Sequence, residues 1–289
     1  MTRIAWVTDS TSCITPEEAK QLGVHVIPVS ILMNETIYKD GVDITPDEFY
    51  NKLDDCDELP KTSQPTPGEF SDFYEVLKHN YDCAIAIHVS EKFSGTINGS
   101  RLGSEAADFP VHIVDSKIVS ESMRQLLLKG KKLEDEGLGP EEIAESLRET
   151  ANRVNGFVCI GSLEQLRRGG RLSGASFLVG NLLQIKPILT FDNGSLVPFE
   201  KVRTLKKAEA RVLGLFEEAA NRSPVEGVSV VYSGSSEKAE TWAAYLREKY
   251  PDITINLGKL SPAIGVHVGA GTLGILWYKG SDPIQIQNP

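Results

Sequence analysis

Short apolar runs alternate with amphipathic stretches along the first half of the chain. The first run, Ile4–Val7, lacks polar alternation, which is typical of a strand buried on both faces of a parallel sheet. This order predicts an α/β fold, with an N-terminal parallel-sheet domain that has helices on both faces. The predicted strands are 4–7, 24–32, 83–89 and 111–114, and the predicted helices include 16–22, 70–79, 95–107, 121–136 and 140–154.

The motif Thr-Pro-x-Glu occurs three times in this half, at Thr15, Thr45 and Thr66. Each copy predicts a helix start, because the threonine can cap, the proline suits the first helical position and the glutamate completes a capping box. The flanking sequences differ, so we interpret the copies as independent helix starts and not as a repeat. Residues 59–68, between the second and third copies, are predicted to form a loop that prolines keep extended.

The second half of the chain adds antiparallel pairing to this pattern. Lys186–Phe191 and Ser195–Glu200 flank the pair Asn193-Gly194, which suits a type I′ hairpin turn. We therefore expect a C-terminal α/β domain with a mixed sheet. Further predicted elements are the helices 163–168, 175–183, 205–220 and 237–249 and the strands 157–160, 228–232, 253–256 and 273–278.

The chain has 289 residues, which is enough for two domains that each have a core. A new strand pattern starts just after the last helix of the first half. We expect the boundary there, which gives an N-terminal domain of residues 1–154 and a C-terminal domain of residues 155–289.

Charge and cysteine content narrow the function classes. The net charge of −10 and the sequence pI of about 5.1 argue against a nucleic-acid groove or an anionic membrane as the main partner. The four cysteines lack metal-ligand spacing, so we expect no metal, no cofactor and a reducing cytoplasm. No apolar stretch approaches ~20 residues, so neither a signal peptide nor stable membrane insertion is expected.

One junction, residues 85–97, combines an apolar run with hydroxyls and a glycine before a helical pattern. Such a strand-to-helix junction leaves backbone N–H groups unpaired and can hold a carboxylate or phosphate. Ser90, Ser94 and Thr96 add hydroxyl donors. Plain N-capping by Ser94 explains the same residues, and the stretch alone leaves both interpretations open.

Several familiar functional motifs are either absent or lack the secondary structure that their function requires. Residues 269–274 match GxGxxG, but they precede a strand pattern instead of opening a helix, and the chain has neither a P-loop nor a GxSxG elbow. His25, His88 and His112 are interpreted as tolerated sheet positions. His267 lies between Gly265 and Gly269, which suits a site facing a cleft. Arg171 follows the pair Gly169-Gly170, which presents it on a flexible turn.

Together, a series of motifs over nearly the whole chain resembles the DegV family of bacterial fatty-acid-binding proteins, some of which are subunits of fatty acid kinase systems. The motifs are Val7-Thr-Asp-Ser-Thr11, Lys61-Thr-Ser-Gln-Pro65, His88-Val-Ser-Glu-Lys-Phe-Ser-Gly-Thr96, Val114-Asp-Ser116, Arg168-Gly-Gly-Arg-Leu172, Leu183-Gln-Ile-Lys-Pro187, Lys201-Val-Arg203 and Gly265-Val-His-Val-Gly-Ala-Gly271.

The resemblance implies a long-chain fatty acid, such as palmitate, buried in a cleft between two α/β domains. Thr62 and Ser94 would bind its carboxylate, and Arg171 and His267 would serve phosphoryl transfer or docking of a separate, ATP-binding fatty acid kinase subunit. The matched motifs also place Ser63, Gly95 and Thr96 at the ligand. Val268 and Ala270 depart from the family pattern, which usually has Thr and Pro beside the histidine.

These observations predict a lipid-binding protein that carries a fatty acid without catalysing a reaction, for transport or for presentation to the kinase. The rival interpretation is an acyl hydrolase with Ser94 as nucleophile and His267 as base. Against it stand the missing elbow glycine and the lack of an evident acidic partner for His267. A third is an interaction protein in which any lipid is structural.

Overall fold

The structure, a computed structural model, describes residues 2–53, 55–56, 58–174 and 185–280. The helix predicted over residues 175–183 and the start of the motif at Leu183 lie outside the described residues. No helix within these ranges is long and apolar enough to cross a membrane.

Most strands lie close to the predicted apolar runs, and most helices begin near the predicted starts; the strand Lys61–Ser63 and the helix Pro262–Val268 were not predicted. The strands are β1 (Ile4–Asp9), β2 (Val24–Ile27), β3 (Ser30–Met33), β4 (Thr36–Lys39), β5 (Lys61–Ser63), β6 (Cys83–His88), β7 (Val111–Asp115), β8 (Val154–Cys159), β9 (Lys186–Asp192), β10 (Ser195–Val202), β11 (Val225–Tyr232), β12 (Ile255–Lys259) and β13 (Leu273–Lys279). The helices are α1 (Pro16–Leu22), α2 (Pro46–Leu53), α3 (Pro67–Lys78), α4 (Thr96–Ala106), α5 (Glu121–Asp135), α6 (Pro140–Ala151), α7 (Leu163–Arg168), α8 (Leu205–Arg222), α9 (Glu237–Lys249) and α10 (Pro262–Val268).

The N-terminal sheet is parallel throughout, with the strand order β2-β1-β6-β7. Trp6 on one face packs with Leu126 of α5 and Leu147 of α6. Val7 on the other face packs with Phe70 and other residues of α3. This arrangement confirms the predicted parallel sheet with helices on both faces.

The C-terminal sheet has the order β10-β9-β8-β13-β11-β12, and only the pair β11 and β12 is parallel. The predicted mixed sheet is therefore confirmed. Phe216 of α8 and Trp242 of α9 cover one face. On the other face, Val158 and Leu276 join a cluster that includes Val89 from the loop after β6, so this apolar surface connects the two sheets.

Two predictions in the N-terminal half were wrong. The strand predicted over residues 24–32 is two strands in different sheets, because the chain leaves the parallel sheet at Pro28 and enters a small antiparallel sheet of order β4-β3-β5. The loop predicted over residues 59–68 contains the edge strand β5. This strand has three residues, and its pairing with the distant β3 leaves no local hydrophobic pattern.

Helices α3 and α4 touch closely at Gly103. A Cβ atom at this position would lie 2.4 Å from the Cβ atom of Phe70 and 2.8 Å from the backbone nitrogen of Ser71. The same close packing fixes α4, whose start at Thr96 follows the candidate residue Ser94. The glycine therefore contributes to the placement of the site.

Gly103→Ala should destabilise the fold by about 1–3 kcal/mol, because the added methyl group meets backbone and forces the helices apart. Gly214→Ala is the matched control, since Gly214 also lies inside a helix but has open space at its Cβ position. That change should instead stabilise by up to about 1 kcal/mol. Urea unfolding of both variants measures the difference, and equal effects would contradict this packing account.

Candidate functional site

A cavity of about 370 Å³ lies within the apolar surface between the two sheets, and its volume falls in the ~300–1,000 Å³ range of small-molecule sites. Its exposed end has polar side chains, including Ser63 and Gln64. Most of the lining is apolar, contributed by Val29, Val89, Phe93, Val119, Val158, Ile160, Leu166, Phe191, Leu196, Val231, Leu260, Ala263, Ile264, Val268 and Leu276. The cavity therefore fits an apolar molecule with one polar end.

Thr62 and His267 meet at the cavity. Thr62 lies on β5 and His267 lies near the end of α10, and the distance between Thr62 Oγ1 and His267 Nε2 is 2.8 Å. Gly169 lies against the other side of the ring, where a Cβ atom would be 2.4 Å from His267 Nδ1. The glycine thus allows the ring to pack against backbone. His267 Nδ1 is buried and has no hydrogen-bond partner among the described residues.

The His267 imidazole is held neutral at pH 7. Burial, and secondly the positive charge of Arg171, lower its pKa to about 4, from an ordinary value of about 6.5. The unfolded chain therefore binds more protons than the folded one between these pH values. The contribution of His267 to stability is complete above pH ~6.5 and is lost as the pH falls towards 4.

Ser94 lies just before α4, and its hydroxyl contacts the Thr96 hydroxyl at 2.8 Å. Its oxygen also accepts a 3.3 Å hydrogen bond from the Thr96 N–H, so it serves the helix start as well as lining the cavity. Gly95 occupies the N-cap position but contacts no cavity surface. Thr96 is fully buried beneath Ser94. Gly95 and Thr96 therefore support the site from behind.

Gln64 joins the two polar segments of the site, and the sequence analysis did not single it out. Its Oε1 accepts a 2.7 Å hydrogen bond from the Gly95 N–H. A Cβ atom at position 95 would lie 2.5 Å from Gln64 Nε2, so a larger residue there would push the Gln64 amide out of this position. Gln64 thereby ties the segment that carries Thr62 to the segment that carries Ser94. Its place in the Lys61–Pro65 motif was the available signal.

Arg171 lines the cavity and connects the two halves of the chain. Its Nε donates a 3.1 Å hydrogen bond to the carbonyl of Phe93, and its Nη1 donates to the carbonyl of Gly169. The structure thus brings five predicted residues to one cavity: Thr62, Ser63, Ser94, Arg171 and His267. The described residues contain no group of three His, Cys, Asp or Glu side chains that could hold a metal ion.

His88 is not a merely tolerated sheet position, as the sequence suggested. Its Nδ1 lies 3.1 Å from Asp9 Oδ2 and its Nε2 lies 3.0 Å from Ser100 Oγ, with all three side chains buried. Asp9 also accepts hydrogen bonds from the Val89 N–H and from the backbone and hydroxyl of Thr11, a cavity residue. The network therefore positions the loops after β1 and β6. Asp9, His88 and Ser100 do not themselves line the cavity.

A second buried carboxylate that the sequence analysis missed lies at the start of α10. Asp40 Oδ2 accepts a 3.3 Å hydrogen bond from the Ala263 N–H, and burial raises the pKa of Asp40 to about 7. The residue follows β4 directly, so it connects the small sheet to the helix that carries His267. Its contact spans more than two hundred residues. No local pattern around Asp40 could have indicated it.

The fold and the cavity define an α/β protein with two sheets that enclose a largely apolar binding site, polar at its exposed end. The chain belongs to the DegV family: the sequence model described as "Uncharacterised protein, DegV family" matches residues 3–280. The resemblance drawn from the motifs is thereby confirmed.

Individual relatives match over almost their full length. A DegV domain-containing protein of Halalkalibacterium halodurans is 40% identical over 280 residues, which cover 96% of this chain and 99% of the relative. The crystal structure of DegV from Bacillus subtilis, described as a fatty acid binding protein, superposes with a TM-score of 0.88 at 36% identity, covering 97% of this chain and all of that one. A DegV family protein from Thermus thermophilus, described by its fatty acid binding, has a TM-score of 0.85 at 30% identity over 96% of this chain and all of its own.

Arg171→Gln should raise the pKa of His267 above 4, because the arginine charge disfavours the imidazolium. The pKa should stay below 6.5, because burial is the larger cause. NMR titration of the His267 ring signals in lipid-free protein, assigned with His267→Gln, measures the shift. Arg168→Gln is the control, since that guanidinium pairs with Glu164 at the surface. An unchanged or lower pKa in Arg171→Gln would contradict the assigned cause.

Proposed function

We propose that this protein binds a long-chain fatty acid, such as palmitate, in the cavity, between domains formed by residues 1–154 and 155–289. The observation that carries the proposal is the composition of the cavity: a long apolar lining with hydroxyls and one guanidinium at the exposed end. The fatty-acid binding named for the Bacillus subtilis and Thermus thermophilus relatives supports it. An acyl tail matches the lining, and a carboxylate matches the polar end.

The tail supplies most of the affinity in this proposal. Burial of ~14 methylenes at about 0.8 kcal/mol each gives roughly 11 kcal/mol, against an association cost of ~4–15 kcal/mol. Charge-assisted hydrogen bonds to the carboxylate add about 1.5–3 kcal/mol each. Without these bonds, the free energy of burying the tail is close to the cost of association. The polar end therefore decides whether the ligand stays bound and which end of it faces solvent.

Thr62 and Ser94 donate hydrogen bonds to the carboxylate, and Arg171 offsets its charge. His267 prepares Thr62 for this role. When the imidazole proton is on Nε2, the ring donates to Thr62 Oγ1, and the threonine hydrogen is free to point at the ligand. The low pKa of His267 keeps the ring in a neutral tautomer at pH 7. Ser63 completes the surroundings of the head group, and Gly95 and Thr96 support it from behind Ser94.

We further propose that the protein works in the cytoplasm as a carrier and presents the fatty acid, for transport or to a separate fatty acid kinase subunit. The exposed side chains of Ser63 and Gln64 at the carboxylate end support this, since that end is the one a partner could reach. The lack of a P-loop in the sequence agrees with a partner that binds ATP. Formation of acyl phosphate on mixing with a fatty acid kinase and ATP tests the step.

The geometry does not favour the acyl hydrolase. A nucleophilic Ser94 needs a hydrogen bond to a general base, and that base needs an orienting partner. In the described residues, His267 contacts Thr62, Ser94 contacts Thr96, and His267 Nδ1 has no partner. Ester turnover that disappears in Ser94→Ala would reverse this conclusion.

Mass spectrometry of an organic extract of the purified protein is the direct test of binding. The proposal predicts a long-chain fatty acid in near-stoichiometric amount. If the extract is empty, and the protein also fails to take up added palmitate or oleate, the proposal is wrong.

Thr62→Val and Ser94→Ala should each weaken palmitate binding by about tenfold to a hundredfold, because each removes one hydrogen bond to a charged group. Titration calorimetry on delipidated protein measures the loss. Thr241→Val, an exposed threonine on α9 that bonds its own helix, controls for the substitution itself. Wild-type affinity in both cavity variants would contradict the assigned carboxylate site.

A further inference from the structure

One hydroxyl inside the cavity makes no hydrogen bond with the described residues. Ser120 lines the cavity and is fully buried, and its Oγ has no hydrogen-bond partner among the described residues. It precedes α5 at the N-cap position, where serine usually accepts a hydrogen bond from the helix, yet its side chain makes no such bond. A buried hydroxyl without a partner is disfavoured, so a binding partner from outside the chain would satisfy it.

The backbone conformation of Ser120 also indicates that its side chain serves a ligand. Its φ of 65° and ψ of −145° belong to a region that glycine adopts freely and other residues adopt only under strain. Two hydrogen bonds hold it there: its N–H donates to the carbonyl of Thr11, and its carbonyl accepts from the N–H of Met123. Glycine would make the same two bonds without strain. The hydroxyl is what serine adds at this position.

Ser120 differs from the residues of the polar end in its exposure to solvent. Ser63 and Gln64 are exposed and the Thr62, Ser94, Arg171 and His267 side chains are partly exposed, whereas Ser120 is closed off from solvent. Its neighbours in the chain, Ile118, Val119 and Met123, belong to the apolar surface between the sheets. With the carboxylate at the exposed end, the part of the ligand that reaches Ser120 is the acyl chain.

We propose that Ser120 is a second polar anchor that selects acyl chains with a hydroxyl group on the tail. The inference rests on the proposed fatty-acid site and specifies its substrate class: a mono-hydroxylated long-chain fatty acid, bound by the carboxylate at the exposed end and by one neutral hydrogen bond from the tail hydroxyl to Ser120 Oγ. Such a bond is worth up to about a tenfold gain in affinity.

The test compares stearate with a set of mono-hydroxystearates whose hydroxyl moves along the chain. Dissociation constants are measured with delipidated wild-type protein, Ser120→Ala and Ser120→Gly. For one hydroxyl position, the ratio of the affinity for the hydroxylated acid to the affinity for stearate should be about tenfold higher in the wild type than in either variant. Ser120→Gly should also be at least as stable as the wild type, which separates loss of the hydroxyl from loss of the fold.

Ser122→Ala is the matched control. Ser122 is equally buried and its Oγ also lacks a partner among the described residues, but it does not line the cavity. Its substitution should leave the ratio of affinities as in the wild type. If stearate binds but no hydroxyl position distinguishes the wild type from the Ser120 variants, this inference is wrong and the fatty-acid site stands. If neither acid binds, the proposed function itself is wrong.

Discussion

The two sheets meet across an apolar surface that their side chains do not fill. The cavity of about 370 Å³ leaves apolar side chains uncovered, and each Å² of that surface that a ligand covers contributes about 25 cal/mol. Side chains such as Val158 and Leu276 forfeit contacts on the cavity side that they would have in a closed core. The fold therefore favours an apolar occupant, and the polar groups determine both its direction and whether it stays bound.

Those polar groups are held by hydrogen bonds around the cavity, some of them fully buried. The Asp9 carboxylate, paired with His88, fixes the loops after β1 and β6, from which Thr11 and Ser94 reach the site. Gln64 and the bond between Thr62 and His267 connect the small antiparallel sheet to the segments facing it. The cavity thus has a preorganised polar end and a separate apolar interior, which is the division that an amphipathic ligand requires.

The regular elements followed from hydrophobic period and capping chemistry, since both act over a few residues. The Thr15 and Thr66 capping boxes and the turn at Asn193 appear as predicted. The parts that were misassigned or not predicted depend on distant partners: β5, predicted as a loop, exists because β3 lies beside it, and α10, which no pattern predicted, packs its short apolar run against residues far earlier in the chain. The local pattern singled out Ser94 and His267, and the resemblance supplied Thr62 and the roles of the site residues. The buried pairing of His88, and a Ser120 hydroxyl without a partner among the described residues, are visible only in three dimensions.

A crystal structure of the delipidated protein after saturation with palmitate tests the central claim most directly. The account predicts one acyl chain in the cavity, with a carboxylate oxygen within about 3.2 Å of both Thr62 Oγ1 and Ser94 Oγ and the tail among Val89, Val158 and Leu276. A carboxylate at the closed end beside Ser120, or palmitate bound outside the cavity, would contradict it.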